Sequence, residues 1–180
     1  MKIKINQNLF IDDSKPPITI AEISGNHKGR KSLFLNHIKE AHKSGCELVK
    51  IQTYEADDLT IKSKEKNFIL KNGLWKNIDL WTLYKNAQTP YKWHDDAFKV
   101  AKKSKINLFS TPFSIRSLNF LKKFNPPLYK ISSFEITDVK LIHEVAKLKK
   151  PILLSTGIAS ILEIKNALKI INKFHNQVVI

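Results

Sequence analysis

Two lysines stand inside otherwise apolar runs, Lys50 in LVKIQT and Lys130 in LYKISS. A buried ammonium loses its hydration, so such a position is expensive unless the charge is compensated. Each lysine could snorkel to solvent or form a structural ion pair with Glu22 or Glu135. Two lysines at matching places on different strands favour a shared anionic ligand. Ser133 and Ser155, the latter followed by Gly157 and a helix start, suit phosphate oxygens through hydroxyls and free backbone N–H groups. Other polar residues gather at the ends of apolar runs: Glu22 before Ser24-Gly25-Asn26-His27, Gln52 before Thr53, and Ser110-Thr111 before Pro112-Phe113. On the residues alone, this describes an enzyme acting on a small phosphorylated or carboxylated substrate.

Other candidates carry less. Asn26 and His27 could bind substrate or organise their loop, and the sequence does not choose between them. His37, His42, His94, His143 and His175 share no metal-ligand spacing and are expected on helix surfaces. Glu55, Asp57 and Asp58 fall in a long connection and are expected to be solvated. Cys46 is the single cysteine. It reads as a small buried thiol rather than a nucleophile, and its solitude fits a reducing cytoplasm. No G-x-G-x-x-G, G-x-x-x-x-G-K-[ST], C-x-x-C or H-E-x-x-H occurs, so dinucleotide, P-loop and zinc-protease readings have no support.

The elements that must position these residues alternate. Short apolar runs resembling buried parallel strands fall at Ile18–Ile23, Leu48–Thr53, Asn107–Thr111, Leu128–Ile131 and Pro151–Ser155, and another begins at Val178. Between them lie helical stretches at Leu33–Ser44, Tyr91–Ser104, Ser114–Phe124, Asp138–Leu148 and Ile161–Phe174. Thr89-Pro90 reads as a cap and first-turn proline, and Gly45 as a stop. This is the rhythm of an α/β fold with a parallel sheet. In a parallel α/β barrel the site lies at the carboxyl ends of the strands, where the polar residues fall. Lys2–Asp12 alternates around Asn6-Gln7-Asn8 and predicts a hairpin ahead of the first core strand. The connection Tyr54–Thr89 is long, with a helix expected over Asp79–Ala87. Its Trp75 and Trp81 are expected to pack partly against the barrel mouth, since exposing both would create an apolar patch.

The chain has 180 residues, enough for one domain with a substantial core, with 42% hydrophobic and 26% charged residues. Its apolar runs are too short to cross a bilayer, and the N-terminus shows no signal-peptide pattern. Lys and Arg number 31 against 16 Asp and Glu, a net charge of +15. The lysines are dispersed, with pairs such as Lys102-Lys103, Lys122-Lys123 and Lys149-Lys150 near helix ends, where cations suit the helix dipole. That describes a solvated surface, or a field that attracts an anionic substrate, rather than a nucleic-acid footprint.

The blocks AEISGNHKG, VKIQTY, FSTPF, YKISSFE and LLSTGIAS resemble, in order, the barrel blocks of the sialic acid synthase family. The stretch FILKNGLWKNIDLWTLYKNAQTPYKWH resembles the pseudaminic acid branch more than the neuraminic or legionaminic branches. The resemblance implies a TIM-type (β/α)8 barrel, here incomplete at about five to six βα units with an N-terminal β-hairpin, because a full barrel needs about 250 residues. Residues 1–180 would be the N-terminal part of a phosphoenolpyruvate-condensing synthase. The remaining barrel strands and a C-terminal antifreeze-like domain would be absent.

The family condenses phosphoenolpyruvate with an open-chain N-acetylated amino sugar and releases phosphate. By resemblance, Lys50, Lys130, Ser133 and Ser155 would hold phosphoenolpyruvate. Glu22, Gln52, Thr111 and Glu135 would meet the sugar, with Glu22 and Glu135 as catalytic carboxylates. A divalent ion, Mn2+ or Mg2+, would polarise the aldehyde, but its ligands would lie outside this chain. The resemblance further implies a cytoplasmic enzyme, a homodimer at full length, with neither nucleic acid nor membrane as partner. Two other readings are a neuraminate or legionaminic acid synthase with the same chemistry, and a catalytically silent barrel fragment.

Overall fold

The structure, a computed structural model, describes residues 2–180. A short antiparallel hairpin, β1 (Lys2–Lys4) and β2 (Phe10–Asp12), precedes the sheet. Its turn is held by Asn6, whose side-chain oxygen accepts from the backbone N–H of Asn8 and of Leu9 at 2.8 Å each. Six parallel strands follow in sequence order: β3 (Ile20–Glu22), β4 (Leu48–Thr53), β5 (Asn107–Pro112), β6 (Tyr129–Ile131), β7 (Ile152–Leu154) and β8 (Val178–Val179). Consecutive strands pair in order, and β3 does not pair with β8. The sheet is therefore an open arc, a half-barrel.

The expected rhythm of strands and helices is present. The helices are α1 (Lys31–Lys43), α2 (Ala56–Leu59), α3 (Leu80–Ala87), α4 (His94–Lys103), α5 (Ile115–Lys122), α6 (Val139–Ala146) and α7 (Ile161–Ile171). Several begin at side-chain caps. Ser114 accepts from Ser117 N at 3.1 Å, Asp138 from Leu141 N at 2.9 Å, and Ser160 forms a reciprocal pair with Glu163. Thr89 departs from expectation. Its hydroxyl is buried without a hydrogen-bond partner among the described residues, and a 3-10 turn over Tyr91–Trp93 leads into α4 instead. Gly45 ends α1 in the left-handed region, as expected, with φ 84°. With only five glycines in the chain, Lys105, Asn125 and Lys149 take that conformation after α4, α5 and α6.

Alternation along the strands separates two faces. On the helix side, Val49, Ile51 and Leu108 pack with Phe34, Ile38, Trp93 and Ala97. Further along, Tyr129, Ile131, Ile152 and Leu154 pack with Leu118, Leu121, Leu141, Ile142 and Val145. On the concave side, Leu48, Phe109 and Leu128 form a floor sealed by Ile3 and Ile5 of the hairpin. Full burial of each such side chain contributes about 1.5–3 kcal/mol. The hairpin is thus a plug at the amino end of the half-barrel, leaving the carboxyl end for polar residues.

Candidate functional site

Going up the concave face from that floor, period 2 puts Glu22 above Ile20, Lys50 and Gln52 above Leu48, Thr111 above Phe109, and Lys130 above Leu128. Register brings them side by side. Glu22 is paired with Lys50 across β3 and β4, and Gln52 with Thr111 across β4 and β5. Lys50 Nζ lies 2.7 Å from Glu22 Oε1, with the lysine side chain 10% and the glutamate 55% exposed. The structural ion pair and the open position are therefore both real: Glu22 neutralises Lys50 while still facing solvent.

Among the described residues Lys130 has no such carboxylate within ion-pair distance. Its Nζ donates to Ile131 O at 3.1 Å and to Ser155 Oγ, which follows β7. Burial, then the nearby Lys50 ammonium, pull its pKa down to about 8, against the opposing pull of Glu22 and Glu135. Strand alternation puts Lys50 and Lys130 on the same concave face, on strands separated by β5. Glu135, in the 3-10 turn after β6, accepts from Ser132 Oγ. Burial, assisted by Asp138, pushes its carboxyl up to about 7, although Lys130 acts in the other direction.

The two serines differ from expectation in an informative way. The N–H of Gly157 is not free: it donates to Ser133 Oγ at 3.2 Å. The start of α7 is also closed by its own Ser160–Glu163 box. Ser133 Oγ accepts from Gly157, and Ser155 Oγ accepts from Lys130. A hydroxyl has one hydrogen to donate, so each serine keeps its O–H for another acceptor. The donors left over here are hydroxyls and an ammonium, not a helix terminus.

A second polar cluster lies on the opposite face of the same strands. Thr53 Oγ1 contacts His94 Nε2 at 2.8 Å and Ser110 Oγ at 2.7 Å, and Ser110 Oγ donates to Ile51 O at 3.1 Å. His94 Nδ1 lies 3.3 Å from Pro90 O. Far from being on the surface, His94 is fully buried, and that burial pulls its pKa down to about 4 and keeps the ring neutral. His27 is also buried. Its Nε2 meets Ala87 O at 3.2 Å and its Nδ1 accepts from Gly29 N, so it organises its loop. Asn26 does likewise through Ile23 O at 3.0 Å.

The acidic residues of the long connection are not simply solvated. Arg116 on α5 reaches Glu55 at 2.7 Å and Asp58 at 3.0 Å, and the Asp58 side chain is only 7% exposed. Asp57 accepts from Trp81 Nε1 at 2.8 Å. Trp81 is thereby held to the rim, but Trp75 is 54% exposed and Leu74 almost wholly so. Trp81 is thus engaged within its own connection, by Asp57 and by the ammoniums of Lys62 and Lys85 over its ring, and Trp75 departs from expectation. Helix α3 returns to the mouth, where a Cβ on Gly25 would come within 3.0 Å of Ala87 Cβ. Cys46 is half-buried beside the α1–α4 core.

Sequence reasoning passed over Tyr54, Tyr84 and Arg116 as site residues. The period of Lys50 and Gln52 continues to Tyr54, and that was the available signal. Among the described residues no helix is long and apolar enough to cross a membrane. Nor does any group of three or more His, Cys, Asp or Glu side chains among them offer a metal site.

The NeuB family matches residues 37–180. The chain belongs to the NeuB family. Among curated NeuB relatives, the pseudaminic acid synthase of Campylobacter jejuni (strain 81-176) is 46% identical over 146 residues, covering 81% of this chain and 43% of that protein. The pseudaminic acid synthase of Helicobacter pylori is 40% identical over 162 residues, covering 90% and 48%. The chain spans about half the length of these relatives. The crystal structure of an N-acetylneuraminic acid synthetase from Leptospira borgpetersenii, in complex with citrate, superposes with a TM-score of 0.85 at 28% identity. That match covers 99% of this chain and 57% of the other.

Proposed function

We propose that this chain forms the phosphoenolpyruvate-holding half of a pseudaminic acid synthase site. The reaction condenses phosphoenolpyruvate with 2,4-diacetamido-2,4,6-trideoxy-altropyranose, in its open-chain form, to give pseudaminic acid and phosphate. The observation that carries this reading is the convergence of Lys130, Ser133 and Ser155, with Lys50 beside them. A multiply charged ligand gains the Lys130 ammonium, the Lys50 ammonium that it shares with Glu22, and two hydroxyl hydrogens that the serines' acceptor bonds leave unused, which is preorganised electrostatic stabilisation. Identity to pseudaminic acid synthases supports the choice of sugar class.

In this reading Glu22, Gln52 and Thr111 hold sugar hydroxyls and amides. Glu135 holds a proton near neutral pH, as a general acid for the carbonyl oxygen requires. The described residues do not by themselves fit the divalent ion that the family resemblance implies, so this chain's part is binding, orientation and proton transfer. Because β3 and β8 are open edges, the pocket is unwalled on that side.

The test is calorimetric titration of the 180-residue chain with phosphoenolpyruvate, alongside phosphate release with the diacetamido sugar and manganese. Saturable binding is expected, weakened by at least about 30-fold in Lys130→Met, since truncating a desolvated charged contact removes about 2–5 kcal/mol. Sustained phosphate release by the chain alone is not expected. Absent binding, or binding indifferent to Lys130→Met, would overturn the reading; sustained release would overturn its restriction to half a site.

A further inference from the structure

The register of β4 and β5 extends one step past the strands. Gln52 pairs with Thr111 and Thr53 with Pro112, and the next pair, Tyr54 and Phe113, meets edge to face with ring centroids 5.3 Å apart. Thr53 faces the helices, where it bonds His94, so Tyr54 faces the concave side with Lys50 and Gln52. Tyr84 of α3 closes on Tyr54 from above at 6.3 Å, again edge to face. Tyr54 is buried, while Phe113 and Tyr84 each keep part of their surface open.

These rings are firmly placed. Phe113 N donates to Ser117 Oγ at 3.0 Å. Helix α3 is capped by Asp79, tied through Gln88 to Ala56 N at 3.0 Å and through Ala87 O to His27. The concave mouth therefore has two unlike regions: Lys130 and the two serine hydroxyls over β6 and β7, and an aromatic rim over β4 and β5, above Lys50, Gln52 and Thr111.

We infer that Phe113 and Tyr84, backed by Tyr54, form a wall that receives the methyl-terminated end of the amino sugar and favours a 6-deoxy sugar over its 6-hydroxy counterpart. This rests on the proposed function, which places the anion at the other end and the sugar across Gln52 and Thr111. A methyl group against these rings is withdrawn from water and gains dispersion contacts. A hydroxyl pressed against the ring carbons loses water, and those carbons offer it no hydrogen-bond partner. Phe113 and Tyr84 are specificity-determining residues, and the long connection enters the site through α3 rather than through its exposed Trp75 tip.

The test uses the full 180-residue chain saturated with phosphoenolpyruvate, titrated with the 2,4-diacetamido-2,4,6-trideoxy sugar and with its 6-hydroxy counterpart. The unsubstituted chain should prefer the 6-deoxy sugar by about tenfold, the scale on which apolar pockets discriminate. Phe113→Ala and Tyr84→Ala should each bring the ratio to within about twofold, while Tyr84→Phe, which keeps the ring, should preserve it. Tyr84 lies outside the sheet, so Tyr84→Ala answers the question even where Phe113→Ala fails to fold. Phosphoenolpyruvate binding by each variant reports an intact site. An unchanged ratio, equal weakening of both sugars, or no sugar binding with phosphoenolpyruvate still bound would overturn the inference and leave the anion site standing. Loss of phosphoenolpyruvate binding by the unsubstituted chain would instead remove the reading beneath it.

Discussion

Two polar clusters sit back to back on the same sheet, and they are finished differently. Behind the sheet, Thr53, Ser110 and His94 lie within hydrogen-bond distance of one another and of two backbone carbonyls, so their three hydrogens are all taken up inside the cluster. In front of it, Lys130 and the two serines donate and accept so that hydroxyl hydrogens remain unused, and Lys130 meets no carboxylate among the described residues. Both clusters shift pKa values by burial, so a shifted pKa does not separate structure from function here. Closure does. Buried polar groups that close on each other hold the strands, and the partly open ones are those the proposed function gives to a ligand.

The largest expected contrast is between removing a member of each cluster. His94→Ala should lower unfolding stability by about 3 kcal/mol, because it leaves a cavity among Tyr91, Phe120 and Phe124 and strips Thr53 of its ring partner. Its phosphoenolpyruvate affinity, measured in the folded fraction, should hold within a few-fold. Lys130→Met should do the reverse. Replacing a desolvated charge with an apolar side chain of similar length should leave stability unchanged or raised by up to about 1 kcal/mol, while anion binding collapses. Urea denaturation and titration calorimetry on the same two variants decide it. If His94→Ala alone abolished binding, the distinction between closed and open clusters would fail.

pH gives the next contrast, with opposite signs. His94 has a folded pKa near 4 against an ordinary value of 6.5, so the unfolded chain binds more protons between them and stability falls as pH drops through that window. Glu135, raised to about 7, makes the native state bind more protons, so its contribution to stability falls as pH rises from 4.5 towards 7. Lys130, lowered to about 8, gives a contribution that rises as pH climbs from 8 to 10.5. For anion binding the ammonium is the useful form. Phosphoenolpyruvate affinity should therefore fall by about tenfold between pH 7 and 9, and the fall should flatten in Lys130→Met. Affinity rising across that interval would show that Lys130 does not hold the anion.

The sequence made strands and helices legible because a parallel sheet writes itself as short apolar runs between amphipathic stretches. Lys50 and Lys130 were legible for the same reason, as charges where none belonged. His94 was not, because a buried histidine in a helix looks like any polar residue until Thr53 is known to lie opposite it. Asp58 was hidden likewise, since its partner Arg116 lies 58 positions along the chain. The free N–H expected at Gly157 was an error of a different kind, because only coordinates show that Ser133 has already claimed it.

That claimed N–H sets the smallest and sharpest comparison, between Ser133 and Ser110. Ser133 Oγ accepts from Gly157 N in an exposed loop, so Ser133→Ala returns that N–H to water at a cost of under about 0.5 kcal/mol. The hydrogen lost is the one the proposed function gives to the ligand, and phosphoenolpyruvate affinity should drop by at least about tenfold, as for one hydrogen bond to a charged acceptor. Ser110 is buried and bonded to Thr53 and Ile51, so Ser110→Ala should cost about 1–2 kcal/mol of stability and leave affinity unchanged. Melting curves and calorimetry on the two variants form a crossed pattern that neither a general loosening of the sheet nor a general loss of charge produces. If Ser133→Ala left affinity untouched, the anion would not reach β6's outer turn, and the site would contract to Lys50, Lys130 and Ser155.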